Sequence, residues 1–577
     1  MTLDDTAETI AALANLAEAL QATGLRLDLD EAGGARATRD ELHQQITDYL
    51  IPRLRRIDAP LLAVIGGSTG SGKSTITNSI VGTEVSVAGV LRPTTRAPVL
   101  VCHPDDLEWF ARGEILADLP RVGTTVDDNA DDNADDNADI VGARTLKTVT
   151  VESLTPGVAI LDAPDIDSVE VANRALATQL LAAADLWLFT TTAVRYADAV
   201  PWEFLHQAQS RGTAMAVVIN RIPPGAEAEI VDHFEAMASA AGLSAITVFP
   251  LPQSELVDGR LPATAVGGIV SLLTTIARDS EQRAQIVAQT LSGTMGSIES
   301  RVVSVTMAAT TQREVTNELG DTLEANYQQA RSSFEADISN GNLLRDEVLD
   351  RWQELVGTAE LMRAVQSRIT RARDRLTGFI TGRTSAARMV QGEITSTLEQ
   401  LLVDHADAAA EATVTAWRHL PGGRQVLADD RSFSRSSPDL AGGVGAEIRA
   451  WQGDVLALVG ERGAGKRTTA RVLALGVNSI GVALMIMLFA QTGGVTGAEI
   501  AVGAGTAGVS QTLLSALFGE QAVRELALEA RRLLLERISG LFDADAERFR
   551  SRLGSEVGSL DSIDDLRLAL ARFERSR

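Results

Sequence analysis

Residues 67–74 read GSTGSGKS: a glycine, four intervening residues, then Gly-Lys-Ser. That spacing suits phosphate chemistry. Glycines let the backbone curl so that successive N–H groups converge on phosphate oxygens. Lys73 supplies a charge beside the β and γ oxygens, and the Ser74 hydroxyl is placed to ligate Mg²⁺. Gly67, Ser68, Thr69, Gly70, Ser71, Gly72, Lys73, Ser74 and Thr75 are therefore the candidate nucleotide-binding residues. About twenty residues on, LRPTTRAPV offers Thr94 and Thr95 where a switch threonine would close on Mg²⁺ and the attacking water; the alternative is an ordinary loop. After the apolar run GVAIL, Asp162 stands where a strand's C-terminal end lets a carboxylate reach Mg²⁺ through water. The candidate metal ligands are thus Ser74, Thr95 and Asp162, and the candidate catalytic residues are Lys73, Thr95 and Thr69.

These residues need a sheet to position them. APLLAVIGG is a short apolar run ending in glycines, the form of a buried parallel strand entering a phosphate loop. APVLVCH, TVTVES, GVAILDAP, DLWLFTTT, AMAVVIN and AITVFPL are further candidate strands separated by helical stretches, which predicts a doubly wound α/β domain over 55–265. Residues 1–54 show apolar residues at helical spacing and are expected to form helices that pack with a stalk. Over 266–420 strand signals vanish and long helical patterns predict a bundle or stalk. Its Gly/Pro/Ser content marks 421–452 as a loop or linker.

Residues 453–520 hold two apolar runs, VLALGVNSIGVALMIMLFA and AEIAVGAGTAGVSQTLLSALFG, joined by QTGGVTG. Each approaches the length of a membrane-crossing helix, about 20 residues. Two readings stand: a membrane-associating hairpin containing a transmembrane helix, or a helical hairpin buried in the bundle. Arg462, Lys466, Arg467 and Arg471 precede these runs and Arg524, Arg531 and Arg532 follow them, so positive charge flanks both outer ends and suits anionic head groups on a cytoplasmic face. Residues 521–577 read as an amphipathic helix returning toward the sheet domain.

Composition excludes other classes. The 577 residues carry a formal charge of −25, which opposes nucleic-acid binding through counterion release. Cys102 is the one cysteine, so an intramolecular disulfide is impossible. The acidic amphipathic start, MTLDDTAETIAALANLAEAL, lacks the pattern of a cleaved export signal. The DDNA repeats at 127–138 predict a solvated loop. A second near-match, GERGAGKR at 460–467, puts Arg467 at the metal-ligating position, and no later run supplies a sheet for it. It is therefore an imitation, although DVLALV before it could pass for a strand.

GGSTGSGKSTITNSIVG, RPTT, LDAPDIDS and ADLWLFTTT together resemble the nucleotide-binding segments of bacterial dynamin-like GTPases, especially actinobacterial members. The resemblance covers most of the chain and implies a large GTPase that takes Mg²⁺ and GTP without a separate exchange factor. It implies assembly on membrane lipid with itself or with a second dynamin-like protein, at the cytoplasmic face of the cell membrane. Three departures qualify it. Asp165 replaces the glycine of the Asp-x-x-Gly switch motif, removing a γ-phosphate contact. The base-recognition element reads NRIPP, keeping Asn220 and Arg221 as candidate base-side residues but lacking the guanine-accepting carboxylate. Thr69 and Gly70 stand where relatives often carry Gln-Ser. A membrane-coupled GTPase is the leading reading; a soluble ATPase or kinase, and a membrane scaffold with little hydrolysis, are the alternatives.

Overall fold

The computed structural model describes residues 3–87, 97–111, 115–116, 119–125, 145–167, 171–210, 212–243, 246–339, 376–462, 477–490, 510–511, 514–515, 518–558 and 562–577. The chain divides into two compact units. One comprises Met1–Leu25, Asp30–Thr310 and Ser559–Arg577, and the other Arg26–Leu29 and Thr311–Gly558.

The first unit is built on an eight-stranded sheet. Its strands are β1 (Leu61–Gly67), β2 (Val99–Cys102), β3 (Arg121–Thr125), β4 (Leu146–Thr150), β5 (Val158–Asp162), β6 (Leu186–Thr192), β7 (Ala214–Ile222) and β8 (Thr247–Pro252). They lie in the order β3-β4-β2-β5-β1-β6-β7-β8. All neighbouring pairs are parallel except β2 with β5. β1, β5 and β6 are buried along their whole length, as central strands covered on both faces must be, and this is why they read as continuous apolar runs. The register sets Ile65 beside Asp162 and Gly67 beside Thr190, bringing the ends of β5 and β6 to either side of the phosphate loop. Chain order adds a second constraint. From β1 the chain passes over β5 to β2, whereas from β6 it passes the other way to β7, so the adjacent pair β1 and β6 forms the switch point where ligands of such sheets bind. β3 had no counterpart among the expected strands, and its residues Val122 and Gly123 are exposed.

The N-terminal helices α1 (Leu3–Ala22), α2 (Ala32–Gln45) and α3 (Ile51–Arg55), the last two joined through a π turn at Ile46–Leu50, follow the predicted apolar spacing. Leu13, Leu16, Leu42 and Ile46 share one core with Ile298 and Val302 of the long helix Ser280–Ser339 and with Leu566 and Phe573 of the last helix, Ser562–Ser576. A buried ion pair ties this layer to the sheet. Asp185, fully buried just before β6, accepts from Arg53 Nε at 3.1 Å, from Tyr49 Oη at 3.0 Å and from the Leu62 N–H at 2.8 Å, and it pairs with the Arg53 Nη2 group. Arg53 also donates to the Ala59 and Pro60 carbonyls. Burial, with the Asp185 charge beside it, holds the Tyr49 phenol well above its ordinary pKa. The Cys102 thiol is buried too, which pushes its pKa up to about 12 and leaves it unreactive.

The second unit is helical. Leu319, Leu323, Tyr327, Phe334 and Ile338 form a buried stripe on Ser280–Ser339 at steps of four, four, seven and four residues, a helix's inward face. The other long helices are Leu376–His419, Pro438–Arg462 and Glu520–Val557. The Trp417 indole donates to the Leu319 carbonyl at 3.0 Å, and that of Trp451 to Ala530 at 2.8 Å.

Several expectations meet the structure here. The passage 421–452, read as a loop or linker, holds a short helix, Gly423–Leu427, and more than half of Pro438–Arg462. Pro438 occupies the first helical position, where its missing N–H costs nothing, and Leu440, Val444, Ile448 and Trp451 bury one face. DVLALV lies inside this same helix and is not a strand, so no strand precedes the imitation loop; residues 463–476, with Lys466, Arg467 and Arg471, lie outside the described residues. The transmembrane expectation falls only in part on described residues. The described part of the first apolar run is Val477–Ala490, 14 residues, and no helix among the described residues is long and apolar enough to cross a membrane. Ile480, Leu484 and Phe489 are buried, with the Phe489 ring 5.9 Å from that of Trp451. Most of the second run, and all of the DDNA repeats, fall outside the described residues. Finally, two of the expected flanking cations are engaged with carboxylates: Arg531 pairs with Glu335, and Arg532 with Glu529 and Glu536.

Candidate functional site

The phosphate loop leaves β1 at Gly67 and turns into the helix Lys73–Val81. The sharpness of this turn explains its glycines. Gly72 has φ +97°, and a Cβ there would lie 2.5 Å from Asn220 Nδ2; one at Gly67 would lie 2.0 Å from the Thr190 carbonyl oxygen. Gly72→Ala should therefore cost about 1–2 kcal/mol through its left-handed backbone alone. It should also push Asn220 off the loop, so we expect lower thermal stability together with weakened nucleotide affinity.

Lys73 and Ser74 are placed as their spacing predicts. Lys73 Nζ, almost fully buried, donates to the Gly67 carbonyl at 3.0 Å and the Ser68 carbonyl at 3.3 Å, and pairs with Asp165. Ser74 Oγ donates to Asp162 Oδ2 at 2.7 Å, and Ser86 Oγ donates to the same oxygen at 2.6 Å. Asp162 is completely buried. Burial raises its pKa against the lowering effect of those hydroxyls, and its Oδ1 has no hydrogen-bond partner among the described residues. The Ser68 and Ser71 hydroxyls are likewise buried without a partner. Among the described residues no group of three His, Cys, Asp or Glu is placed to hold a metal ion, so any cation here relies on hydroxyl and carboxylate oxygens.

Thr69 turns toward the segment after β5. Its N–H and hydroxyl both donate to Asp167 Oδ1, at 2.6 and 2.7 Å, while Arg195 Nη2 donates to Asp167 Oδ2 at 3.1 Å. Burial alone would raise the Asp167 pKa, but the Thr69 donors and the Arg195 cation hold it below the ordinary value. A depressed carboxyl stabilises the fold above its unfolded pKa, about 3.9, and loses that contribution as pH falls through its lower folded value. Asp167→Asn should thus lower the melting temperature at pH 7, with the difference from wild type vanishing in strong acid.

Asn220 is internal to the site. Its Nδ2 donates to the Ser71 carbonyl at 2.9 Å and its Oδ1 accepts from the Arg221 N–H at 2.8 Å, so it braces the loop. Arg221 follows in a left-handed conformation, φ +59°, exposed at the end of β7. Thr94 and Thr95 lie outside the described residues. Ser86, Asp167 and Arg195 were not among the sequence candidates. Asp167 sat within the quoted LDAPDIDS, but Arg195 becomes visible only when the strand order places the end of β6 beside β1.

Residues 62–222, from β1 through β7, match the profile of the dynamin family, Dynamin_N. This segment is a dynamin-family GTPase domain. The GTPase domain hydrolyses GTP, and the chain continues from it into the long helices of the second unit. Comparison with curated proteins finds no match. Among solved structures, one described as "An oligomerised bacterial dynamin pair provides a mechanism for the long range sensing and tethering of membranes" is similar at 10% identity and TM-score 0.37, over 95% of this chain and 96% of its own. "LeoA bacterial dynamin GTPase from ETEC" is similar at 14% identity and TM-score 0.24, over 100% and 98%. Era in complex with MgGDPNP and a 16S ribosomal RNA fragment is similar at 18% and 0.24, over 38% of this chain and 56% of its own.

Proposed function

We propose that this chain is a membrane-associated GTPase in which Lys73, Ser74, Asp162 and Thr95 hold Mg·GTP and the helical unit couples the nucleotide state to an anionic lipid surface. The observation that carries the nucleotide half is the Lys73, Ser74 and Asp162 cluster at the edge of β1 and β5, within the dynamin-family segment. The partnerless Asp162 Oδ1 beside the Ser74 hydroxyl fits a hard, oxygen-seeking cation. Ser74 and Asp162 would hold Mg²⁺ there, and the ion would supply positive charge to the β and γ phosphates. Lys73 orients the phosphates, the loop N–H groups bind their oxygens, and Asn220 keeps the loop in register. Arg221, exposed near the end of β7, is the base-side residue.

The lipid half rests on the uncharged apolar run at 472–490. We propose a surface association by this chain as a homo-oligomer or with a second dynamin-like protein, at the cytoplasmic face. A scaffold with slow hydrolysis is the second reading, favoured by the Asp165 carboxylate on Lys73. Co-sedimentation with phosphatidylglycerol vesicles tests the lipid half. The full chain should pellet with vesicles more with a non-hydrolysable GTP analogue than with GDP. Equal recovery in the supernatant with both nucleotides would refute it.

A further inference from the structure

After Asp162 the chain runs Ala163, Pro164, Asp165, Ile166, Asp167. Ile166 is buried and donates its N–H to the Gly67 carbonyl at 3.3 Å, so this short segment is pinned against the phosphate loop. The two carboxylates flanking Ile166 both engage that loop: Asp165 pairs with Lys73, and Asp167 accepts from Thr69 N–H, Thr69 Oγ1 and Arg195. Arg195 reaches Asp167, and not Asp165, from the turn after β6. It sits across the β1 and β6 switch point from Gly67, and its Nη1 lies 3.4 Å from the Thr69 carbonyl oxygen. Nε donates to Asp198 at 3.2 Å, which keeps the guanidinium over the loop. At 38% exposure the side chain is not committed to the core. A terminal phosphate entering this loop carries charge of the same sign, and seeks the same donors, as the carboxylates of Asp165 and Asp167.

We infer that Arg195 is a phosphate-contacting catalytic residue of the GTPase reaction, supplied by the chain itself and restrained by Asp167 as Asp165 restrains Lys73. GTP binding then exchanges partners: Lys73 passes from Asp165 to the β and γ oxygens, and Arg195 from Asp167 to the γ-phosphate. In hydrolysis a water oxygen bonds to the γ phosphorus, and the bond from that phosphorus to the β,γ-bridging oxygen breaks. GDP leaves with the bonding electron pair, and the water proton passes through inorganic phosphate to solvent. Arg195 stays protonated throughout and offsets the charge that accumulates on the transferring group and the leaving oxygen.

The inference rests on the phosphate loop binding and hydrolysing GTP, so the test measures both. Single-turnover GTP hydrolysis and equilibrium affinities for GTP and GDP are measured with Mg²⁺ on the full chain and on its Arg195→Gln, Asp167→Asn and Lys73→Ala variants. Arg195→Gln should slow the single turnover by roughly 10³-fold, the lower end for an arginine of this kind, while GDP affinity changes by less than about threefold. Asp167→Asn frees Arg195 and should tighten GTP relative to GDP. An Arg195→Gln variant turning over at the wild-type rate would overturn the inference. So would an Asp167→Asn variant as slow as Arg195→Gln, because Arg195 would then be only a brace for the segment. Failure of the GTPase reading has a different signature: wild type and Lys73→Ala would be alike in GTP binding and turnover.

Discussion

Lys73→Ala is expected to lower GTP turnover by roughly 10²–10³-fold, the scale seen when one preorganised charge-stabilising donor is removed. The effect should be large because the ammonium is already fixed. Lys73 Nζ is almost fully buried and held by two loop carbonyls and Asp165, so little reorganisation is required when the phosphates take those donors. The variant also leaves the Asp165 carboxylate without its cation, beside the phosphates it would repel. Turnover and nucleotide affinity should therefore fall together. Steady-state phosphate release with a fluorescent nucleotide titration checks this, with a melting curve to show that the variant is folded. Wild-type turnover by folded Lys73→Ala would remove the phosphate loop as the site.

Asp185→Ala should destabilise the first unit by about 3–5 kcal/mol, the cost of leaving one half of a buried ion pair behind. Both partners are almost completely shielded from water, and Asp185 accepts from Arg53, Tyr49 and the Leu62 N–H at once. Removing it leaves a buried guanidinium without its counter-charge. Replacing both charges, as Arg53→Met with Asp185→Leu, should cost less than Asp185→Ala alone, because no buried charge is then left over. Urea unfolding of the three proteins measures the difference. Asp185→Ala within about 0.5 kcal/mol of wild type would show that the pair contributes nothing of this kind.

The parts of the site that sequence reveals are those whose chemistry is local. A phosphate loop needs its glycines, lysine and serine at fixed offsets, and Asp162 needs only to end an apolar strand. Arg195 is different: it lies 126 residues beyond Thr69, whose carbonyl it approaches, because β6 pairs with β1, a choice made by tertiary packing. The antiparallel pairing of β2 with β5 is hidden for the same reason. β3, RVGTT, escaped because an exposed edge strand holding a glycine has no continuous apolar signature. Glycines misled the reading of 421–452: each costs about 1 kcal/mol in a helix, but the buried face from Leu440 to Val459 outweighs them. The run at Val477–Ala490 shows a limit of composition itself, since an uncharged apolar helix reads alike whether lipid or protein surrounds it.

The most direct test of the account is GTP and ATP turnover by the full chain, with and without phosphatidylglycerol vesicles. We predict a preference for GTP and a rate that rises when vesicles are added. Turnover of ATP at least equal to that of GTP, indifferent to lipid, would contradict it.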